Sequence, residues 1–187
     1  MSKYIRALLD RHYITPSFEL DQHFFNNVHL LNKMVGYARV NKESTVLEIG
    51  AGLGFLTKQL AKRAKLVTAV EKDRRFEDVL RDELSGFKNV ELVFGSALEL
   101  SNVSVDCIVS NLPYNLCEPL LNVLSGWKFK TAVLLVSKKF ALKLAVDTRL
   151  KDKLGKYNLE LLDDVSKENF FPQPKVESKI VRLTFEE

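Results

Sequence analysis

Three glycines stand in five positions, Gly50, Gly52 and Gly54, inside "LEIGAGLGFLT", directly after a short β-branched run. An acid, Glu71, closes the next such run, "KLVTAVE". Glycines at a strand exit let backbone approach a ligand closely and accept positive φ. The spacing is G-x-G-x-G, without the third position of the dinucleotide fingerprint G-x-G-x-x-G. A carboxylate ending the neighbouring strand can accept from both hydroxyls of a ribose. By itself Glu71 reads equally well as a solvated charge before "KDRR". Glycines and acid together point to a nucleoside-containing cofactor.

Two further run-ends carry unusual residues. "FGSAL" places a serine, Ser96, where an acid would accept from an adenine amino group; its hydroxyl bonds more weakly than a charged acceptor. "SNLPYN" sets Asn111, Leu112, Pro113 and Tyr114 after Val105–Val109, a run that reads as a buried strand. Asn111 offers a carbonyl oxygen, Pro113 holds the turn so that the Leu112 carbonyl can point the same way, and Tyr114 offers a stacking face. Two acceptors and a ring suit an exocyclic amino group on a planar base. They would hold both N–H groups and turn the nitrogen lone pair toward an electrophile. The competing explanation is a tight strand-to-helix turn with an Asn cap and a buried Tyr.

The elements that must position these residues alternate. Val28, Leu31, Met34, Val35 and Ala38 recur at helical spacing after a polar entry at Asn26 and Asn27. "STVLEIG" predicts a strand, Phe55, Leu56, Leu60 and Ala64 a helix, "KLVTAVE" a strand, and Phe76, Val79, Leu80 and Leu84 a helix. "NVELVFG", "VDCIVS" and "TAVLLVS" predict further strands, with helical "CEPLLNVL" and "KKFALKLAV" among them. Such alternation gives right-handed crossovers and a mostly parallel sheet with helices on both faces. "KYNLELLDDV" and "KIVRLTFE" flank a Pro-containing turn, predicting two antiparallel strands at one edge. The expected class is α/β, Rossmann-like and three-layered, with an antiparallel C-terminal strand. In such sheets ligands sit beyond the carboxyl ends of the strands, where the unusual residues fall.

A chain of 187 residues, 46% hydrophobic, can bury one good core and is expected to be a single domain, 1–187. No stretch approaches the apolar length of a membrane span, and Met1 to Asp10 lacks a signal-peptide core, so a cytoplasmic protein is expected. Cys107 and Cys117 have neither zinc nor redox spacing; both read as reduced thiols, and no metal is expected. A net charge of +4 permits nucleic-acid binding without requiring it.

"VLEIGAGLGFLT", "AVEKD", "SNLPYN" and "FFPQPKVESKIVRL", in this order, resemble the ribosomal RNA adenine N6-dimethyltransferase family, and "DQHFFNN" resembles its opening glutamine motif. The resemblance runs from about Asp21 to Phe185. It implies the class I methyltransferase fold, S-adenosyl-L-methionine as donor, and an adenine of small-subunit ribosomal RNA as acceptor, with dimethylation the expected extent. Carried over, Gln22, His23, Gly50, Gly52, Glu71, Lys72, Ser96, Ala97 and Asn111 form the donor site, residues 1–25 acting as a covering segment. Asn111, Leu112, Pro113 and Tyr114 hold the target base, and Phe170 stacks on its other side. Three departures stand out: His23 replaces the family's asparagine, Ser96 its acid, and the smaller helical domain that usually follows is expected to be lacking after Glu187.

RNA contact is expected from Lys138, Lys139, Lys143 and Lys175, the first three in a basic stretch running on through Arg149, Lys151, Lys153 and Lys156, opposed locally by Asp147 and Asp152. A solvated helix face and loop is the plainer alternative; membrane-surface binding conflicts with the helix's need to cover the sheet. The expected partner is the small ribosomal subunit, with no membrane and a monomer favoured. Two other functions stay open: a catalytically weak or inactive ribosome-assembly factor on this fold, and a small-molecule or protein methyltransferase, against which "FFPQPKVES" argues.

Overall fold

The computed structural model describes residues 2–25 and 27–186, so Asn26 of the predicted helix entry lies outside the described residues. The order is α1 (Ser2–Arg11), β1 (Phe24–Phe25), α2 (Val28–Tyr37), β2 (Thr45–Ile49), α3 (Phe55–Ala61), β3 (Leu66–Glu71), α4 (Glu77–Leu84), β4 (Val90–Phe94) and β5 (Cys107–Asn111). There follow α5 (Cys117–Leu124), β6 (Thr131–Ser137), α6 (Lys138–Val146), α7 (Thr148–Asp152), β7 (Tyr157–Val165), β8 (Phe170–Phe171) and β9 (Ser178–Phe185).

Seven strands form the central sheet in the order β4-β3-β2-β5-β6-β9-β7, and β1 pairs with β8 in a separate two-stranded ribbon. β9 runs antiparallel to both β6 and β7, so β7 points with the parallel set and only the last strand opposes it. The edge therefore differs in detail from the two closing strands expected: β9 inserts between β6 and β7.

Strands buried on both faces read as apolar runs because each face has its own layer to cover it. Val46 of β2 faces the cluster built with α1 to α4, including Ile5, Met34, Leu60 and Leu80. Leu47 and Ile49 face the other, with Leu120 of α5, Leu144 of α6 and Leu150 of α7. Asn27 starts α2 by accepting from the Leu30 N–H at 3.3 Å, satisfying one of the donors a helix start leaves open. Two periodic positions depart from the expectation. Val28 opens α2 and stays 55% exposed, while Ala64 lies beyond the end of α3 yet is buried in the turn toward β3.

β2 lies between β3 and β5: the chain runs from β2 through β3 to β4 on one side and then crosses to β5 on the other, which makes the carboxyl end of β2 a topological switch point. The parallel register Ile49↔Val70 sets Gly50 level with Glu71. On the other side, a Cβ at Gly50 would lie 3.5 Å from Pro113 and 3.9 Å from the Asn111 carbonyl oxygen. The fold thus gathers three separated motifs at one edge.

Candidate active site

One cavity opens at this edge, and every residue assigned above to the donor or the base lines it. Its floor is the glycine turn. The N–H groups of Gly50 and Ala51 both donate to the Val70 carbonyl, at 2.8 and 3.1 Å, which pulls the turn over the end of β3. Gly50 and Gly52 sit at φ of 76° and 54°, where a side chain is strained. A Cβ on Gly52 would make only ordinary contact with the Phe24 ring at 3.5 Å, so the positive φ, not crowding, is what favours glycine there.

Glu71 is buried, which excludes its alternative as a solvated surface charge. Its two carboxylate oxygens accept from the N–H groups of Gly52 and Asp73, each at 2.8 Å. Burial raises its pKa, and these backbone donors oppose the rise. Each oxygen retains a lone pair, so the group braces the glycine turn and can still receive hydroxyl donors. Lys72 beside it is exposed, and Ala97 is buried at the far wall. Ser96 is partly spent, its hydroxyl accepting from the Leu98 N–H at 3.3 Å.

The N-terminal segment clasps the cavity. Gln22 donates to Asp73 Oδ2 at 2.7 Å and accepts from the Ser17 N–H at 2.7 Å, so both ends of its amide are bound to protein. Burial alone would raise the Asp73 carboxyl, but hydrogen bonds from Arg75 and Gln22 hold it below the usual range. Asp21 accepts from the Asn115 N–H at 2.9 Å, and Asn115 donates its amide to the Glu19 carbonyl at 3.1 Å. His23 reaches both sides: its Nδ1 lies 2.7 Å from the Pro172 carbonyl oxygen, and its own carbonyl accepts from Asn111 Nδ2 at 3.1 Å.

The second contact orients Asn111. With Nδ2 given to His23, Oδ1 remains as the acceptor, beside Leu112 and Pro113 in the same lining. The Tyr114 hydroxyl shares a 2.6 Å hydrogen bond with Ser178 Oγ, and its ring lies 6.0 Å from that of His23. Burial pushes the Tyr114 phenol up. Phe170 stacks against Phe25 with centroids 5.1 Å apart, so one of its faces is taken.

Three groups escaped the sequence reasoning. Ser178 holds Tyr114; the "KVES" motif contained it, but nothing in the spacing paired the two. Phe25 backs Phe170 through the β1–β8 ribbon, whose strands lie far apart in the chain. Glu48 is 1% exposed, lines the cavity, and its Oε2 makes no hydrogen bond. Burial pushes its carboxyl up to about 8, with the Glu71 charge adding to the rise. An acid inside the apolar run "VLEIG" was the available signal.

Lys138, Lys139, Lys143 and Lys175, expected to contact RNA, lie elsewhere, and none of the four lines the cavity. Lys138 pairs with Asp164 at 2.9 Å, Lys143 and Lys153 approach Glu118 at 3.6 and 4.0 Å, and Arg149 pairs with Asp147 at 3.4 Å. The sequence set only Asp147 and Asp152 against these cations; the fold adds Glu118 from α5 and Asp164 from β7 as partners. Lys139 and Lys175 are exposed and make no ion pair among the described residues. Among the described residues no helix is long and apolar enough to cross a membrane, and no cluster of His, Cys, Asp and Glu is placed to hold a metal. Cys107 and Cys117 are buried free thiols, and burial pushes their pKa values up to about 11 and about 12.

A family model described as ribosomal RNA adenine dimethylase matches residues 15–187. A probable ribosomal RNA small subunit methyltransferase A of Pyrococcus abyssi is 36% identical over 184 residues, covering 95% of this chain and 68% of that protein. The ribosomal RNA small subunit methyltransferase A of Thermotoga maritima is 36% identical over 178 residues, covering 88% and 62%. Among solved structures, a dimethyladenosine transferase from Plasmodium falciparum superposes with a TM-score of 0.81 at 30% identity, over 88% of this chain and 64% of that one. The 23S rRNA methyltransferase ErmE does so at 0.80 and 29%, over 87% and 70%. The chain spans about two thirds of the length of the curated relatives it matches.

Proposed function

From the premise that the chain belongs to the ribosomal RNA adenine dimethylase family, we propose that it transfers methyl groups from S-adenosyl-L-methionine to N6 of adenine in small-subunit ribosomal RNA. The observation that carries this reading is the Asn111 amide, anchored through Nδ2 so that Oδ1 is left as an acceptor in the cavity that Gly52 and Glu71 also line. The donor set suits the cofactor. Glu71 presents a carboxylate for the ribose hydroxyls, and the glycine turn admits close approach.

When bound, the sulfonium supplies an already activated methyl group, so the protein's work is placement. Asn111 Oδ1 and the Leu112 carbonyl hold the two N–H groups of the amine and turn its lone pair inward. Tyr114, fixed by Ser178, and Phe170, backed by Phe25, flank the base, which has to leave its stack to enter. The segment 1–25 closes the donor site through Gln22, Asp21 and His23. Dimethylation follows where the cavity tolerates one methyl already present. Lys139 and Lys175 supply phosphate contact, the partner is the small ribosomal subunit, and the setting is the cytoplasm.

A weakly catalytic assembly factor is the second reading, and it rests on Ser96, a partly engaged hydroxyl where an acid would hold the donor's adenine. A labelled-methyl assay on small ribosomal subunits lacking the modification, with mass spectrometry of the nucleosides, separates the two. Dimethyladenosine supports transfer; RNA binding without label supports the assembly factor.

A further inference from the structure

The amino ends of the parallel strands carry a second groove, on the edge of the sheet opposite the candidate active site. Thr45 opens β2, Asp106 precedes β5, Lys130 precedes β6 and Tyr157 opens β7. β9 runs the other way and brings its last residue, Phe185, to the same edge, where it pairs with Tyr157. None of the residues lining this groove lines the candidate active site.

The floor is aromatic. In "GWKFKT" aromatic and basic residues alternate, and Lys128 bridges Ser104 as extended chain, in which neighbours point to opposite sides. Trp127 and Phe129 are accordingly buried, while Lys128 and Lys130 are exposed. The Phe129 ring stacks on Tyr157 with centroids 4.1 Å apart and planes within 8°, and the Tyr157 hydroxyl donates to the Phe129 carbonyl at 3.1 Å. Phe185 meets Tyr157 edge-on at 5.5 Å and stays 43% exposed. Its N–H donates to the Lys130 carbonyl at 3.0 Å, and the Glu186 N–H donates to the Lys156 carbonyl at 2.8 Å. The backbone around the exposed ring is thus tied to two lysines.

The rim is cationic. Lys128, Lys130 and Lys156 stand against one lining carboxylate, Asp106. That acid is committed: it accepts from the Thr45 N–H and hydroxyl, each at 2.9 Å, and from Lys130 at 2.8 Å. The Lys130 ammonium first, then the Thr45 donors, hold its carboxyl down to about 2. Lys128 and Lys156 are exposed and make no ion pair among the described residues. An acidic peptide would satisfy these lysines and leave the ring bare. Single-stranded RNA offers phosphates for the one and flat bases for the other.

We propose that this groove is a second RNA contact, in which an unpaired nucleobase stacks on Phe185 and Lys128 and Lys156 hold the flanking phosphates. The inference rests on the ribosomal RNA reading above. A strand's length separates the groove from the target base, about 17 Å for the five residues of β2, so it grips a part of the RNA other than the methylated adenine. It contributes to affinity for the large substrate and leaves the chemical step alone.

Salt titration of binding to protein-free small-subunit ribosomal RNA tests this on wild type, on a Lys128→Gln/Lys156→Gln double variant, and on Phe185→Leu and Phe185→Trp. The double variant is expected to lower the slope of log K against log salt by about 1.4 to 1.8. Phe185→Leu leaves every charge in place and is expected to weaken binding at least about fivefold at an unchanged slope. Phe185→Trp keeps a stacking face and stays within about twofold of wild type. Single-turnover methyl transfer at saturating RNA is unchanged in all three. Should Phe185→Leu melt early, the double variant, which alters only exposed side chains, decides alone. An unchanged slope in the double variant overturns the proposal, as does a stably folded Phe185→Leu that binds as tightly as wild type. So does weakening on assembled subunits with none on protein-free RNA, which would make the partner a ribosomal protein. Wild type and variants that bind in the expected order while none transfers methyl would support this contact and remove the methylation reading alone.

Discussion

The side-chain amide of Asn111 donates to the carbonyl oxygen of His23 at 3.1 Å, joining the end of β5 to a segment 88 residues earlier. This bond decides which end of the amide is available. Asn111→Ala removes the acceptor proposed for the target amine and leaves the glycine turn in place. Methyl transfer is expected to fall at least roughly tenfold while donor affinity stays nearly intact, the loss of one hydrogen bond to a developing charge being worth about 1.5–3 kcal/mol. Parallel calorimetry and transfer assays check the split, and equal transfer by variant and wild type would remove Asn111 from the chemistry.

Glu71 braces the glycine turn and is proposed to hold the donor as well, and the isosteric Glu71→Gln tests the two together. A glutamine keeps one carbonyl acceptor, so one of the contacts to Gly52 and Asp73 is lost together with the charge. Donor affinity is expected to weaken about tenfold, or about 1.4 kcal/mol. Denaturant unfolding reports the bracing of the turn separately. A variant that unfolds earlier yet binds the donor as tightly as wild type would reduce Glu71 to a loop brace.

The buried Glu48 makes stability depend on pH. Burial pushes its folded carboxyl up to about 8 from an ordinary value of 4.5. Between those values the folded state holds a proton that the unfolded chain has released. Stability is therefore greatest below the unfolded value, declines as pH rises through this window at up to about 1.4 kcal/mol per pH unit, and levels off above the folded value. Glu71, also raised by burial, contributes with the same sign. Glu48→Gln should melt close to wild type at pH 5 and several degrees higher at pH 8.5. A melting difference that does not change with pH would contradict the buried-acid account.

Nucleic-acid affinity should follow the free cations rather than the paired ones. Neutralising Lys139 and Lys175 is expected to lower the slope of log K against log salt by about 1.4 to 1.8, according to the form of the RNA. Neutralising Lys138 and Lys143, which already face Asp164 and Glu118, should change it less. Salt titrations of RNA binding on the two double variants test this ordering; the reverse order would place the RNA against Lys138 and Lys143 in spite of their ion pairs.

What could be read from the sequence was what depends on near neighbours. Period and β-branching located "STVLEIG", "KLVTAVE" and the other strands, and run-ends located Gly52, Glu71 and Asn111, because a parallel sheet collects its strand ends at one edge. What could not be read depends on distance along the chain. The acids that meet the lysines come from α5 and β7, Ser178 reaches Tyr114 across 64 residues, and Phe25 meets Phe170 only once β1 and β8 pair. Burial of Glu48 follows from the layer of α1 to α4 above β2, not from any local pattern.

The central claim is that this cavity methylates an adenine amine of ribosomal RNA. Its most direct test incubates the 187-residue chain and S-adenosyl-L-methionine carrying a labelled methyl group with small ribosomal subunits that lack adenine methylation, then digests the RNA to nucleosides for mass spectrometry. The account predicts label in N6-methylated and N6,N6-dimethylated adenosine with wild type, and none above background with Asn111→Ala. Label in another nucleoside or in protein, or donor binding without any labelled adenosine, would contradict it.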